Sequence, residues 1–215
     1  MADIFDEISE DMRQEKLAQF WKENGSWIIG GVIGAILLTA IMAYMRQRDF
    51  TQSTKATTQL VMIAASTDSR KLEQFADKTD KNHAMMARFI AADNYVQNNQ
   101  NDKAIALYKK IAATSGLSKV WRDLASVHSI SLRLNTAPPA ELATELAPLV
   151  KDDDVWRYTA RELQALLAAR EGHMQKAADL MSAIAADPNA PTDERHRAFS
   201  LHELYIADAK ANRKS

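Results

Sequence analysis

Apolar and polar residues divide the chain into three parts: an acidic start, one uninterrupted apolar run, and a long stretch of helical character. Residues 26–45 read SWIIGGVIGAILLTAIMAYM and contain no charged side chain. A helix rises about 1.5 Å per residue, so this run would cover about 30 Å, the hydrocarbon thickness of a bilayer. Trp27 and Tyr44 stand at its ends, where amphipathic rings favour the headgroup region. The pattern predicts an uncleaved transmembrane helix over 26–45.

Small residues recur within this run at a spacing of four. Gly30 pairs with Gly34, and Gly31 pairs with Ala35 on a neighbouring stripe, a spacing that permits close helix contact in lipid. These four are the candidate transmembrane packing residues. A cleaved signal peptide is the rival interpretation, but it needs a basic start and a shorter apolar core. Basic residues flank the run equally on both sides, so charge alone does not decide its orientation.

Residues 1–25 form an acidic tail with seven acidic and three basic side chains. Ile4, Ile8 and Met12 recur every four residues, which predicts a short amphipathic helix. This helix could lie on the membrane or on a partner, or it could simply lead into the anchor. The polar face of this helix is acidic and is not attracted to anionic lipid, which favours a helix that simply leads into the anchor.

Residues 46–215 are rich in Ala, Leu, Lys, Glu and Gln, and no convincing strand alternation appears. Breaks are predicted near 66–69, 98–101, 114–116, 135–139, 151–154, 171–172 and 187–191. They separate helices joined by short turns, which is the layout of an α-hairpin array. The sequence therefore predicts an all-α protein in which a helical-repeat domain over 46–215 follows the membrane helix.

The clearest repeat unit covers 87–112, ARFIAADNYVQNNQNDKAIALYKKIA. Its first helix places Ala92 and Tyr95 on one face, and its second places Ala104 and Tyr108 on another. A small residue where helices cross and an aromatic that fills the next layer are what stacked hairpins require. This unit resembles the tetratricopeptide repeat, so the domain is predicted to be a tetratricopeptide-like α-hairpin solenoid.

Two further units continue the pattern, and Asp102 is predicted to cap the second helix of the first unit. The small position recurs as Ala177 in a unit over 161–188 and as Ala143 in a weaker unit between them. The spacing from Ala104 to Ala143 is longer than that from Ala143 to Ala177, which suggests an insertion at 136–139.

The composition excludes several kinds of chemistry. The chain has no cysteine, and its five histidines show no zinc spacing. No hydrolase, phosphate-binding or dinucleotide-binding motif is present, so the chain is predicted not to be an enzyme and to need no cofactor or small-molecule substrate. Residues 46–215 carry 24 basic and 21 acidic side chains in an interspersed balance, which argues against nucleic acid as a partner.

The whole arrangement resembles the ancillary SecYEG translocon subunit family of bacterial inner-membrane proteins. The likeness lies in QFWKENGSWIIGG before and into the apolar run, the hairpin at 87–112, and the closing segment DPNAPTDERHRAFSLHELY. The resemblance implies a single-pass protein with a cytoplasmic N-terminus and a periplasmic repeat domain. It also implies a non-enzymatic adaptor at the Sec translocon, with emerging polypeptides and periplasmic chaperones as partners. The alternative is an accessory or assembly subunit of another inner-membrane complex.

The candidate protein-binding residues are Met86, Phe89 and Asp93. Ala92 and Tyr95 are predicted to face the second helix of the hairpin. This register leaves the three candidates on the opposite face of the first helix. A methionine beside an aromatic suits a range of partially unfolded segments. The other interpretation is that Met86 and Phe89 pack against the preceding helix pair.

Overall fold

A computed structural model describes Thr39 and residues 41–48 and 51–212, which fall in two compact units, Met1–Ala56 and Thr57–Ser215. The predicted acidic tail and most of the predicted span, including Gly30, Gly31, Gly34 and Ala35, lie outside the described residues. Residues 41–48 and 51–56 of the first unit are helical. No helix among the residues that the structure describes is long and apolar enough to cross a membrane.

The described part of the second unit is built from helices alone. A helical stretch covers residues 51–65, and the second unit begins at Thr57. We call the part of this stretch in the second unit, residues 57–65, helix α1. The others are α2 (Ser69–Ala76), α3 (Lys81–Gln97), α4 (Asn101–Ala112), α5 (Lys119–Arg133), α6 (Pro139–Leu146), α7 (Arg157–Arg170), α8 (Met174–Ala186) and α9 (Thr192–Asn212). All seven predicted breaks fall between these helices, which confirms the all-α hairpin layout.

An eighth break, over 77–80, separates α2 from α3 and is absent from the sequence-based prediction. Asp80 causes it, because its carboxylate accepts hydrogen bonds from the backbone N–H groups of Asn82 and His83 and so caps α3. The predicted cap at Asp102 is wrong. Helix α4 already begins at Asn101, and Asp102 lies in the first turn without a capping role for its side chain.

Three of the hairpin turns have a residue of positive φ just after their first helix. Gly172 follows α7 with φ of 83°, Asn99 follows α3 with φ of 57°, and Thr67 follows α1 with φ of 51°. At Gly172 the next residue, His173, donates its N–H to the Ala168 carbonyl at 2.9 Å, which closes the helix end. Asparagine tolerates this left-handed backbone better than most residues, and glycine adopts it without strain.

Three apolar clusters follow one another along the second unit. The first is formed by α1 to α5, the second by α5 to α7, and the third by α7 to α9. Each cluster is thus built from neighbouring hairpins, as expected of a repeat array. Helices α5 and α7 each contribute to two clusters, since Ala125 and Ile130 on α5 lie in different ones.

Buried alanines form part of the apolar clusters between the helices. Ala92, Ala104 and Ala177 have no exposed surface, which confirms the register of the first and last predicted units. The predicted small position at Ala143 is wrong, because Ala143 is exposed and its neighbour Leu142 is buried instead. Helix α6 has only eight residues and directs leucines rather than a small residue into the second cluster.

Charged side chains link helices both within a hairpin and between successive hairpins. The buried Arg133 of α5 pairs with Glu141 and Glu145 of α6, and Lys119 pairs with the buried Asp154 that precedes α7. Burial opposes ionisation of Asp154, but hydrogen bonds from the Lys119 ammonium and the Trp156 N–H hold its pKa below the ordinary value.

Candidate functional site

Large apolar side chains that remain exposed in the second unit are concentrated on the first helices of the hairpins. Helix α1 carries Val61 and Met62, α3 carries Met86, α5 carries Trp121, and Val155 lies two residues before α7. The second helices α2, α4, α6 and α8 expose no large apolar side chain, and Phe199 and Leu204 on α9 complete the set in the described part of the second unit. Exposed apolar side chains gathered on one set of helices are candidates for a protein-binding surface.

The densest part of this surface lies where α3 and α5 approach each other over α4. We call it the α3–α5 patch, and it consists of Met86, Phe89 and Asp93 of α3, Tyr108 of α4, and Trp121 and His128 of α5. Met86 and Trp121 are 47% and 44% exposed, whereas Tyr108 forms the buried floor. The patch therefore combines an accessible rim with a fixed base.

Phe89 stands at the centre of the patch. Its ring centroid lies 5.8 Å from that of Tyr108 and 6.3 Å from those of both Trp121 and His128. The Tyr108 and His128 rings stack with centroids 5.0 Å apart. Tilted, edge-on and stacked aromatic pairs at these distances are each worth about 0.5–1.5 kcal/mol beyond the area they bury. These contacts hold the exposed Trp121 in a defined place.

Asp93 closes the patch on its polar side. The Tyr108 hydroxyl donates a hydrogen bond of 2.6 Å to Asp93 Oδ1. Burial raises the pKa of Tyr108, and the bond to Asp93 raises it further, so the hydroxyl keeps its proton. Burial lowers the pKa of His128 while the negative charge of Asp93 opposes that shift, and the net shift is downward. At neutral pH the formal charge of the patch is therefore that of Asp93.

The three residues singled out from the sequence lie on one side of α3, but in different surroundings. Met86 and Asp93 are exposed, whereas Phe89 is half-buried and packs against the first apolar cluster as well as against the other rings. Their role in binding stays a prediction. Sequence reasoning missed Trp121 and His128, although their spacing of seven, with the buried Ala125 between them, places them on neighbouring parts of one helix face.

The other chemistry of the described residues is structural. Within residues 51–212, no group of three or more His, Asp or Glu side chains is arranged to hold a metal ion. Arg197 forms a bidentate pair with Glu162, in which Nε donates to Oε1 at 3.0 Å and Nη2 donates to Oε2 at 2.8 Å, and so links α9 to α7. Ion pairs of this kind hold helices in place. The exposed apolar side chains of the first helices have no comparable structural role, and they are therefore the candidate site.

Comparison with known proteins gives one match. A family model described as a tetratricopeptide repeat-like domain matches residues 18–190. No curated protein and no solved structure matches the chain.

Proposed function

The chain belongs to the tetratricopeptide repeat-like domain family, and we propose on this premise that it is a membrane-anchored, non-enzymatic adaptor that binds other proteins. Repeat domains of this kind are typically protein-interaction modules, since stacked hairpins present an extended surface built from equivalent helices. The proposed setting is the Sec translocon of a bacterial inner membrane. There the repeat domain, on the periplasmic side, would receive emerging polypeptides and pass them to chaperones.

The exposed apolar side chains of the first helices carry the binding part of this proposal. Val61, Met62, Met86 and Trp121 come from successive hairpins and recur along the array. An extended or partially unfolded segment that lies across successive first helices could cover several of them at once. Methionine adapts its shape to different side chains, which suits a binder of varied sequences.

Substitution at the rim of the patch tests the binding part. Met86→Ser and Trp121→Ser remove exposed apolar groups, and Phe199→Ser is the matched control because Phe199 is 58% exposed on α9. We expect the first two variants to lose partner cross-links in native membranes. Met86→Ser should melt close to wild type, and Trp121→Ser should melt a few degrees lower but stay folded at the assay temperature, because it also loses its contact with Phe89. Phe89 is left intact, since it packs against the core. Unchanged cross-links in both rim variants would remove the patch from the binding surface.

Protease protection tests the proposed topology. The support for it is the apolar run over 26–45 and the resemblance of its flanks to the translocon-associated family. Protease added to spheroplasts should digest the domain after residue 46 and spare the tail 1–25. A repeat domain that stays protected until the membrane is opened would contradict the orientation and the adaptor role together.

A second candidate function is that of an accessory subunit of another inner-membrane complex. The small-residue spacing of Gly30 with Gly34 and of Gly31 with Ala35 favours it, because such stripes permit permanent docking between membrane helices. Cross-linking with mass spectrometry separates the two candidates. Cross-links to peptides of the translocon and of chaperones would support the adaptor. Cross-links to the subunits of a single complex, in a fixed stoichiometry, would support the accessory subunit.

A further inference from the structure

The α3–α5 patch contains a carboxylate that no cation of the described residues meets. Asp93 is exposed, and its Oδ1 atom accepts the Tyr108 hydroxyl. No Lys, Arg or His side chain within the described residues forms an ion pair with Asp93, whereas Asp77, by comparison, is met by both Arg88 and Lys110. Asp93 is thus held in place by a neutral donor and keeps its charge uncompensated.

Two other tyrosine–carboxylate pairs in the protein show how such a unit is normally completed. Tyr95 donates to Glu73 at 2.6 Å, and Lys103 Nζ lies 5.1 Å from the centroid of the Tyr95 ring. The third member of this unit is therefore the Lys103 ammonium over the Tyr95 ring, a contact that the ring quadrupole stabilises.

The pair near the α7–α8 hairpin follows the same rule. Tyr158 donates to Asp187 Oδ2 at 2.8 Å, and the Arg157 guanidinium lies 4.3 Å from the Tyr158 ring centroid. The positive charge of Arg157 also contributes to the lowered pKa of Asp187, after the backbone N–H of Asn189 and the Tyr158 hydroxyl. Tyrosine, carboxylate and cation thus form one three-part unit here.

The Tyr108–Asp93 pair has two of these three parts. His128 stacks on the Tyr108 ring, and among the residues that the structure describes no Lys or Arg side chain lies over a ring of the patch. The exposed Trp121 offers the ring type that binds cations best, next to the Phe89 ring. The Tyr108 ring itself is buried and is covered by Phe89 and His128, so a cation that pairs with Asp93 has to come from outside and meet the exposed Trp121 ring instead.

We propose that the α3–α5 patch binds a partner segment in which an Arg or Lys side chain stands among apolar residues. The cation pairs with Asp93 and its stem lies against Trp121, while the apolar neighbours cover Met86 and Phe89. The partner thus supplies the positive charge that Lys103 and Arg157 supply at Tyr95 and Tyr158, but beside the exposed Trp121 ring and not over the buried Tyr108 ring. This inference rests on the proposed function, because it names the chemistry of the segment that the adaptor takes.

Matched peptides test the charge requirement. The full-length protein is placed in nanodiscs of uncharged phosphatidylcholine, and empty nanodiscs give the background. The probes are three labelled peptides that share one leucine-containing sequence and differ only in a central Arg, Gln or Glu. Fluorescence anisotropy gives the dissociation constants. We expect the Arg peptide to bind about tenfold more tightly than the Gln peptide, and the Glu peptide to bind most weakly.

Two variants assign this difference to the patch. Asp93→Asn removes the charge and retains an acceptor for Tyr108, and it should bind the Arg and Gln peptides equally. Glu73→Gln makes the same change in the Tyr95 unit, away from the patch, and should keep the tenfold preference. Thermal melting checks that both variants are folded. If Asp93→Asn proves unstable, Trp121→Leu serves in its place and should reduce the preference for the Arg peptide severalfold.

The outcomes separate this inference from the proposed function. Equal binding of all three peptides to the wild type overturns the charge requirement and leaves peptide binding in place. Absence of binding by every peptide overturns both. A preference that Asp93→Asn retains moves the cation site elsewhere and overturns the inference. Concentration-dependent dimers that Met86→Ser abolishes would identify a second copy of the chain as the occupant and would also overturn it.

Discussion

Replacing Ala104 with Leu tests the packing of the repeat array at a fully buried alanine. Ala104 has no exposed surface and lies on α4 beside Leu107, Tyr108 and Ile111 in the first cluster. Extra carbon atoms at such a site force neighbouring side chains out of their preferred rotamers, at a cost of typically 1–3 kcal/mol. In a domain of this size, about 1 kcal/mol lowers the melting temperature by roughly 2–4 °C. We expect a fall of about 2–12 °C.

Circular dichroism melting of the full-length protein measures this fall. Ala143→Leu is the matched control, because it makes the same change on an exposed face of α6. A surface substitution away from special features usually changes stability by less than about 0.5 kcal/mol, so the control should melt within about 2 °C of wild type. The comparison isolates burial, since both positions are alanines in second helices.

The result that refutes this reasoning is equal melting of the two variants. It would mean that the α3–α4 crossing tolerates a larger residue and that Ala104 does not set the helix separation. A larger fall for Ala143→Leu would be more damaging, because it would restore the register that the sequence alone predicted for the middle repeat.

Three other predictions concern single side chains. Asp154→Asn keeps the acceptor for Trp156 but removes the partner charge of the largely exposed Lys119, so we expect a loss of about 1–2 kcal/mol near pH 7 in chemical denaturation. Because the folded pKa of Asp154 is depressed, its stabilisation is complete above the ordinary value of 3.8 and is lost as the pH falls through the folded pKa, where wild type and variant should converge. The pKa of His128 is lowered from 6.5, so the folded state loses stability as the pH drops below that value. His128→Gln should therefore flatten the dependence of melting temperature on pH between about 7.5 and 5. Equal pH dependence in the wild type and the variant would contradict the lowered pKa. Gly172→Ala should cost about 1–2 kcal/mol from its positive φ alone, since nothing lies within 4 Å of an added Cβ, and Gly172→Asn should cost less in the same unfolding assay.

Helix positions were predictable from the sequence because polar turns interrupt Ala- and Leu-rich stretches. The break at Asp80 was not, since the segment 77–80 contains neither glycine nor proline, and its signal is a single capping carboxylate. The register of the middle repeat failed for a related reason. Many alanines fit a small-residue pattern, and only packing shows that Ala143 faces outwards while Leu142 faces inwards.

The candidate site was only partly visible in the sequence. Met86 and Asp93 follow from the register of α3, because Ala92 and Tyr95 fix which face is buried. Trp121 joins them only through tertiary structure, as its helix begins 22 residues after α3 ends. The uncompensated charge of Asp93 was likewise beyond sequence reasoning, since ion pairing depends on distances between helices.

Helices α5 and α7 belong to two apolar clusters each. This sharing determines which helices are stabilised when a segment binds to the protein. Amide hydrogens exchange when a cooperative region opens, so exchange rates report the stability of each cluster separately. A segment bound to Trp121 on α5 stabilises a helix that both the first and second clusters need in order to form. Its amide protection should therefore spread to α3 on one side and to α6 on the other, and decline towards α9, which shares no cluster with α5.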